Sequence, residues 1–307
     1  MFAPYLMNAW IAGTMVAVVA GVVGFFVVLR GSTFLAHAIP HGAFAGAAGA
    51  VLIGVDPLVG LGVFATAGAL AVTFLARRAR TDVVTALALV MMLGLGALFL
   101  SMSTEYSSEV FALLFGQILG VSSAEIVPMA LMGAACLVAL GIFFRPLTFG
   151  SVLPDQAAVR GAGTRAMPIL FALVVALATT MSVPIVGALL MFSLLVGPSA
   201  AARFVTRRPA SAIALSVCLA VATVWASIAL SYLTDWPIGF VVSAISALLY
   251  AAARAVACAA RSRRPAAPQP QPEPEPHGSA LPPVSAAESS AQVTLRGSVV
   301  LAEGSDQ

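Results

Sequence analysis

The chain has 307 residues, 61% of them hydrophobic and 9% charged, with a mean hydropathy of +1.03. No single soluble core can hide that much apolar surface, which excludes an ordinary soluble domain and leaves lipid as the solvent. The net charge of +3 comes from fifteen arginines and no lysine against twelve acids, a balance that points to no nucleic-acid partner unless the arginines share one surface.

Nine apolar runs can each cross roughly 30 Å of hydrocarbon as helices: 9–29, 35–55, 57–76, 83–102, 126–144, 166–181, 183–202, 210–233 and 237–256. No basic residue precedes Arg30, so the first run lacks the leading charge of a signal peptide and reads as a retained helix. In the second run, Gly42 with Gly46 and Ala45 with Gly49 stand at the small-residue spacing that lets helix backbones approach, which makes that helix central. Cys136, Cys218 and Cys258 stand singly in or at the ends of apolar runs and read as buried hydrophobes rather than a metal or redox pair.

With the N-terminus outside, the inner connections hold Arg30, then Arg77, Arg78 and Arg80, then Arg145, Arg160 and Arg165, then Arg203, Arg207 and Arg208, then Arg254, Arg261, Arg263 and Arg264. The outer ones hold Asp56, Glu105, Glu109, Glu125 and Asp235 and no basic residue. This is the positive-inside pattern, and it places the chain in the plasma (inner) membrane with its C-terminus cytoplasmic. The stretch Glu109–Gly120 is apolar but too short to cross, and counting it as a crossing would put half of the arginines outside. It reads as a re-entrant helix lining a path, or as an amphipathic helix on the surface.

Within the long inner connection after the fifth run, Pro154 suits a first helical position, Asp155 complements the helix N-terminus and Gly161 supplies a stop. A short cytoplasmic helix is expected there, able to cap the bundle or to be gripped by a partner. The sequence therefore predicts an all-α polytopic bundle: residues 1–256 form the transmembrane domain, with about nine crossings, a short outer re-entrant helix and a short cytoplasmic coupling helix. Residues 257–307, rich in Pro, Ala and Ser, bury too little apolar surface to fold and are expected to be a disordered cytoplasmic tail.

His37 and His41, two of three histidines, stand four apart on one face of the second helix. About 1.5 Å per residue from Arg30 puts His41 some 16 Å deep, near the bilayer midplane, where ionisable groups mark an ion or substrate route. Neutral imidazoles at this spacing can present two nitrogens to one ion. Alternatively, both hydrogen-bond neighbouring helices, with a carbonyl freed by Pro40 as one acceptor. Glu109, on the outer side, is a further candidate to receive a cation, or an ordinary solvated charge. No Walker motif, GxSxG elbow or HExxH pattern is present, so the chain is expected to be a transport subunit rather than an enzyme, with any ATP hydrolysis in another chain.

At these residues the sequence resembles the permease family of zinc, manganese and iron ABC importers, along nearly all of residues 9–254. The family's second helix opens with a pattern like R-x-x-S-F-x-G-D-x-L-x-H-x-x-L-x-G. Here RGSTFLAHAIPHGAFAG matches at Arg30, Phe34, His41 and Gly46, with His37 where the family has Asp. LLFGQILGVSS (Leu113 to Ser123) and VGALLMFSLLVGPSAAARFVTRR (Val186 to Arg208) resemble two further family segments. The family's P-E-x-A-x-x-x-G falls on Pro154, Asp155, Ala157 and Gly161, after Leu153 in place of an acid, and its Y-x-x-D-x-P-x-G on Tyr232, Asp235, Pro237 and Gly239.

The resemblance implies a permease dimer, of identical or paired chains, on two cytoplasmic ATPase subunits that grip the Pro154–Gly161 segment. An extracytoplasmic metal-binding protein would deliver a divalent ion, zinc or manganese, as cargo, with no resident cofactor; lipid is the remaining partner. His37 in place of the family's carboxylate favours zinc over manganese. A permease for a metal chelate such as a siderophore, an ion-coupled secondary transporter and a membrane-embedded metalloenzyme are the competing readings.

Overall fold

The computed structural model describes residues 4–76, 81–102, 114–152, 166–206 and 208–262, and among these it holds ten α-helices, one 3-10 turn and no strand. In chain order the helices are α1 (Pro4–Leu29), α2 (Thr33–Leu52), α3 (Pro57–Leu75), α4 (Thr81–Met102), α5 (Ser123–Ile142), α6 (Phe144–Val152), α7 (Ala166–Val186), α8 (Ala188–Val205), α9 (Pro209–Thr234) and α10 (Ile238–Ser262). Eight are long and apolar enough to cross a membrane, and α8 is apolar over the shorter stretch Leu190–Val205. The polytopic all-α bundle read from the sequence is what the chain forms.

The interior belongs to α1, α2 and α7. Being built largely of Ala and Gly, α2 can be enclosed by α3 and α4 on one side and by α7 and α8 on the other. At its crossing with α3 the main chains touch. A Cβ placed on Gly46 would fall on the Gly60 carbonyl oxygen, and one on Gly60 would fall on that of Gly46. This is the close approach the small-residue spacing predicts.

Hydroxyls join α1, α8 and α9: Ser216 Oγ donates to the Gly21 carbonyl at 2.8 Å and lies 2.7 Å from Ser199 Oγ, all three groups being buried. Since Ser216 has one proton and gives it to Gly21, Ser199 is the donor to Ser216. By contrast α4 packs mainly on α2 and α3 and turns Leu87, Val90 and Met91 outward, away from the bundle.

The bundle has a basic end and an acidic one. At the first, Arg203 Nη1 donates to the Val28 carbonyl at 2.9 Å, and Arg30 reaches Ser151 Oγ at 3.5 Å. The Arg30 guanidinium also stands 5.1 Å over the Phe171 ring, and desolvation there lowers its pKa below the ordinary arginine value. Arg145, Arg208 and Arg254 lie at the same end. Asp82, in the first turn of α4, is the one described acid there, where a helix N-terminus favours negative charge.

Asp56, Glu125 and Asp235 mark the opposite end. Asp56 Oδ1 accepts from the Leu58 N–H at 2.7 Å to cap α3, and Glu125 closes a capping box with Ser122 on α5. Nearby, Trp10 and Trp225 meet edge to face at 5.6 Å and Trp225 Nε1 donates to Thr14 Oγ1, the amphipathic aromatic anchoring common where membrane meets water.

Several expectations need correction. The break between the sixth and seventh runs falls at Gly187 rather than at residue 182, and α7 continues through Pro184. Gly187 has φ 89°, which an L side chain resists, so the corner forms where glycine permits it. The connection after the fifth run begins with a helix of its own, α6, instead of a loop. The last helix passes residue 256 and ends at Ser262; the rest of the expected tail lies outside the described residues. Only Cys136 is buried, while Cys218 and Cys258 are exposed, because their helix faces turn away from the bundle.

Candidate metal centre

The turn at Gly31 and Ser32, pinned by Arg30, starts α2 and sends it into the middle of the bundle. On it the His37 and His41 rings lie with centroids 4.5 Å apart at 51°, and His41 is 8% exposed while His37 is half-buried. The i, i+4 spacing thus delivers both imidazoles to one place, as the sequence predicts.

His41 Nδ1 lies 2.9 Å from the His37 carbonyl oxygen. A carbonyl only accepts, so Nδ1 carries the proton and Nε2 keeps its lone pair free for an ion. This is the bond by which metal-ligating histidines are commonly oriented, here supplied by the helix itself. The His37 ring meets Phe192 of α8 edge-on, centroids 4.8 Å apart, and its Nδ1 is buried without a hydrogen-bond partner. An unpartnered buried nitrogen costs free energy unless something else occupies it. Bonds from the histidines to neighbouring helices, the alternative open at the sequence level, are not seen among the described residues. The acceptor that His41 uses is on its own helix.

No group of three or more His, Cys, Asp or Glu side chains gathers among the described residues. Two imidazoles alone do not make the closed tetrahedral set of a structural zinc site; they suit a cargo that is held and then released. On α7, which packs against α2, Thr179 Oγ1 and Ser182 Oγ are likewise buried without partners. Glu109, Pro154, Asp155, Ala157 and Gly161 lie outside the described residues.

Towards the acidic end, three of the sequence segments converge. Gly116 (φ 83°) and Gly187 (φ 89°) stack main chain on main chain: a Cβ on Gly187 would meet the Phe115 carbonyl carbon at 2.5 Å and the Gly116 nitrogen at 2.6 Å. The Gln117 N–H donates to the Pro184 carbonyl at 3.2 Å. Gly239, from the Asp235-x-Pro237-x-Gly239 run, receives the Leu190 side chain and lies close to the Phe115 carbonyl. Of the stretch expected to be re-entrant, the described part begins with two helical residues, Leu114 and Phe115, and continues into a 3-10 turn, Ile118–Gly120; Ile118, with Val121 just after it, is buried in the core rather than floating on the surface. Sequence reasoning found neither this stack nor Phe192. The glycines in LLFG and VGALL were visible as motif letters, but nothing local says that they meet.

The profile described as the ABC 3 transport family matches residues 3–257. The chain is similar to the manganese transport system membrane protein MntC of Listeria innocua, 25% identical over 80% of this chain and 88% of that protein. It is equally similar to the high-affinity zinc uptake system membrane protein ZnuB of Haemophilus influenzae, 25% identical over 80% of this chain and 95% of that one. Among solved structures, PsaBC from Streptococcus pneumoniae in complex with Fab matches with a TM-score of 0.75 and 26% identity, over 82% of this chain and 91% of the other.

Proposed function

The chain belongs to the ABC 3 transport family, and from that premise we propose that it is the permease subunit of an ATP-driven importer that passes a divalent metal ion along a route through the His37–His41 pair. The observation that carries this reading is the pair itself: one ring bonded to its own helix so that Nε2 stays free, the other with a buried nitrogen that no protein group occupies. A cation entering from the acidic end meets two neutral nitrogen donors near the membrane centre and completes its shell with water, carbonyl or hydroxyl oxygen.

The metal is zinc in this proposal. The manganese and zinc relatives match at the same level of identity, so donor chemistry has to decide. His37 replaces an oxygen donor by nitrogen, which favours a borderline ion over manganese. A His37→Asp variant is expected to shift uptake from zinc toward manganese, and equal loss of both would count against the assignment.

The same proposal places the N-terminus outside and the C-terminus in the cytoplasm, the arginine end lying inward. It sets two permease chains on two ATPase subunits gripping Pro154, Asp155, Ala157 and Gly161. An extracytoplasmic metal-binding protein delivers the ion past Glu109.

The decisive experiment is metal uptake in cells expressing the chain with its ATPase and binding protein, comparing wild type and His41→Ala at equal membrane abundance. Loss of zinc and manganese accumulation is expected. Unchanged accumulation would overturn the direct-metal reading in favour of a chelate permease, whose cavity needs no protein ligand.

A further inference from the structure

At the basic end a cleft of about 650 Å³ opens between α1, α5, α6 and α9. Its walls are Val22 and Phe26 of α1, Leu137 and Leu140 of α5, and Ile213 of α9, and Arg145 of α6 stands with them. The Phe144 ring meets Phe26 edge to face at 5.8 Å, which fixes the α6 turn that carries Arg145. From Leu137 to Ile142 the cleft runs along five residues of α5, about 7.5 Å at helical rise or half of the hydrocarbon depth of one leaflet, and Arg145 stands beyond the turn into α6. It is apolar along its length and cationic at the membrane surface.

Arg145 is exposed and has no carboxylate partner among the described residues. Of the described acids, Asp56, Glu125 and Asp235 are at the other end, and Asp82 is on α4, which packs on α2 and α3. Arg208 adds a second cation two residues before Ala210, which also lines the cleft.

We propose that this cleft is a binding site for an anionic phospholipid, one acyl chain lying between α1 and α5 and the phosphate paired with Arg145. Basic pockets between transmembrane helices on the cytoplasmic side hold such head groups, and a guanidinium recognises a phosphate through paired charge-assisted hydrogen bonds. A neutral hydrophobic partner would leave Arg145 unused, and a water-soluble anion would leave the apolar length unfilled. The proposal needs no particular cargo and stands apart from the histidine pair.

The test is native mass spectrometry of the purified full chain, equilibrated in mild detergent with dioleoyl phosphatidylglycerol or dioleoyl phosphatidylcholine. Wild type is expected to retain the anionic lipid in preference to the zwitterionic one. Arg145→Gln should weaken retention of phosphatidylglycerol roughly fivefold, the loss of one surface arginine–lipid attraction.

Nothing lies within 4 Å of a Cβ built on Gly141, so Gly141→Leu has room for its first carbon, narrows the cleft that Gly141 lines and should weaken retention of both lipids. Arg254→Gln, at the same end but on α10, should bind as wild type does.

Equal retention of the two lipids by wild type, full retention by Arg145→Gln, or a matching loss in Arg254→Gln would overturn the proposal. So would a Gly141→Leu variant that keeps its lipid and changes oligomeric state, since the cleft would then seat a second copy. Unfolding temperatures measured alongside separate a lost site from a lost fold, and Arg145→Gln, being exposed, decides the question if the Gly141 variant is unstable.

Discussion

Replacing Gly46 by alanine tests the link between helix packing and the histidine pair. The added Cβ would fall on the Gly60 carbonyl oxygen and lie 2.5 Å from Phe64 Cβ and 2.7 Å from Phe64 Cγ, whereas carbon atoms rest about 3.5–4.0 Å apart. Neither a carbonyl nor a Cβ can swing aside, so α2 and α3 must separate by about 1 Å. Overpacking of this kind costs about 1–3 kcal/mol. At about 2–4 °C per kcal/mol for a chain of this size, unfolding should fall by roughly 2–12 °C.

The measurement is size-exclusion of the detergent-solubilised chain after graded heating, paired with metal uptake. Because His41 rides on the same helix, uptake should fall further than the loss of folded protein explains. Gly94→Ala is the control: nothing lies within 4 Å of its Cβ, so it should be neutral or slightly stabilising through helix propensity. If Gly46→Ala unfolded with the wild type and transported fully, the close crossing of α2 and α3 would be wrong.

Further outcomes follow from other contacts. Ser216→Ala removes the donor to Gly21 and strands Ser199, so it should cost about 1–2 kcal/mol, while Ser199→Ala with Ser216→Ala should cost less than the two single changes added, as read from a double-mutant cycle in unfolding temperature. Asp235 caps α9 at φ 56°. Asp235→Gly should hold or raise the unfolding temperature, since a left-handed backbone costs an L side chain roughly 1–2 kcal/mol, and Asp235→Val should lower it, since a β-branched residue tolerates that region less well than Asp does. Asp56→Ala, which takes away the cap on the Leu58 N–H, should cost about 1 kcal/mol; an unchanged unfolding temperature would mean that the cap is not formed in the membrane.

What could be read in advance is what each residue carries in its own neighbourhood. Apolar length identified the crossings, the arginines marked one end of the bundle, and the spacing of His37 and His41 put two rings together on a helix whose glycines announced that it would be enclosed. The turn at Gly187 escaped because the apolar runs were divided at residue 182, inside what is one helix continuing through Pro184. A proline near a helix end loses one hydrogen bond, but only a glycine could take the backbone conformation at the corner.

The Gly116–Gly187 stack and the edge contact from Phe192 to His37 were hidden for another reason. Both join segments far apart in the chain, and a phenylalanine within an apolar run carries no mark of the ring it will touch. Helix α6 lay unrecognised in the connection after the fifth run, and its Pro146 falls within the first turn, where the missing N–H has no consequence.

The stacked glycines also decide how the acidic end can open. A gate made of side chains opens when rotamers flip, in picoseconds to nanoseconds, and a passing ion or water molecule can push it ajar. Here main chain rests on main chain, with Leu190 wedged against Gly239 beside it, so no rotamer change can make a gap. Separation requires the α7–α8 corner and the 114–121 segment to move apart as bodies, a motion of microseconds to milliseconds. On the proposed route, access at this point would follow the rigid-body movement of these helices rather than the rotamers of single side chains.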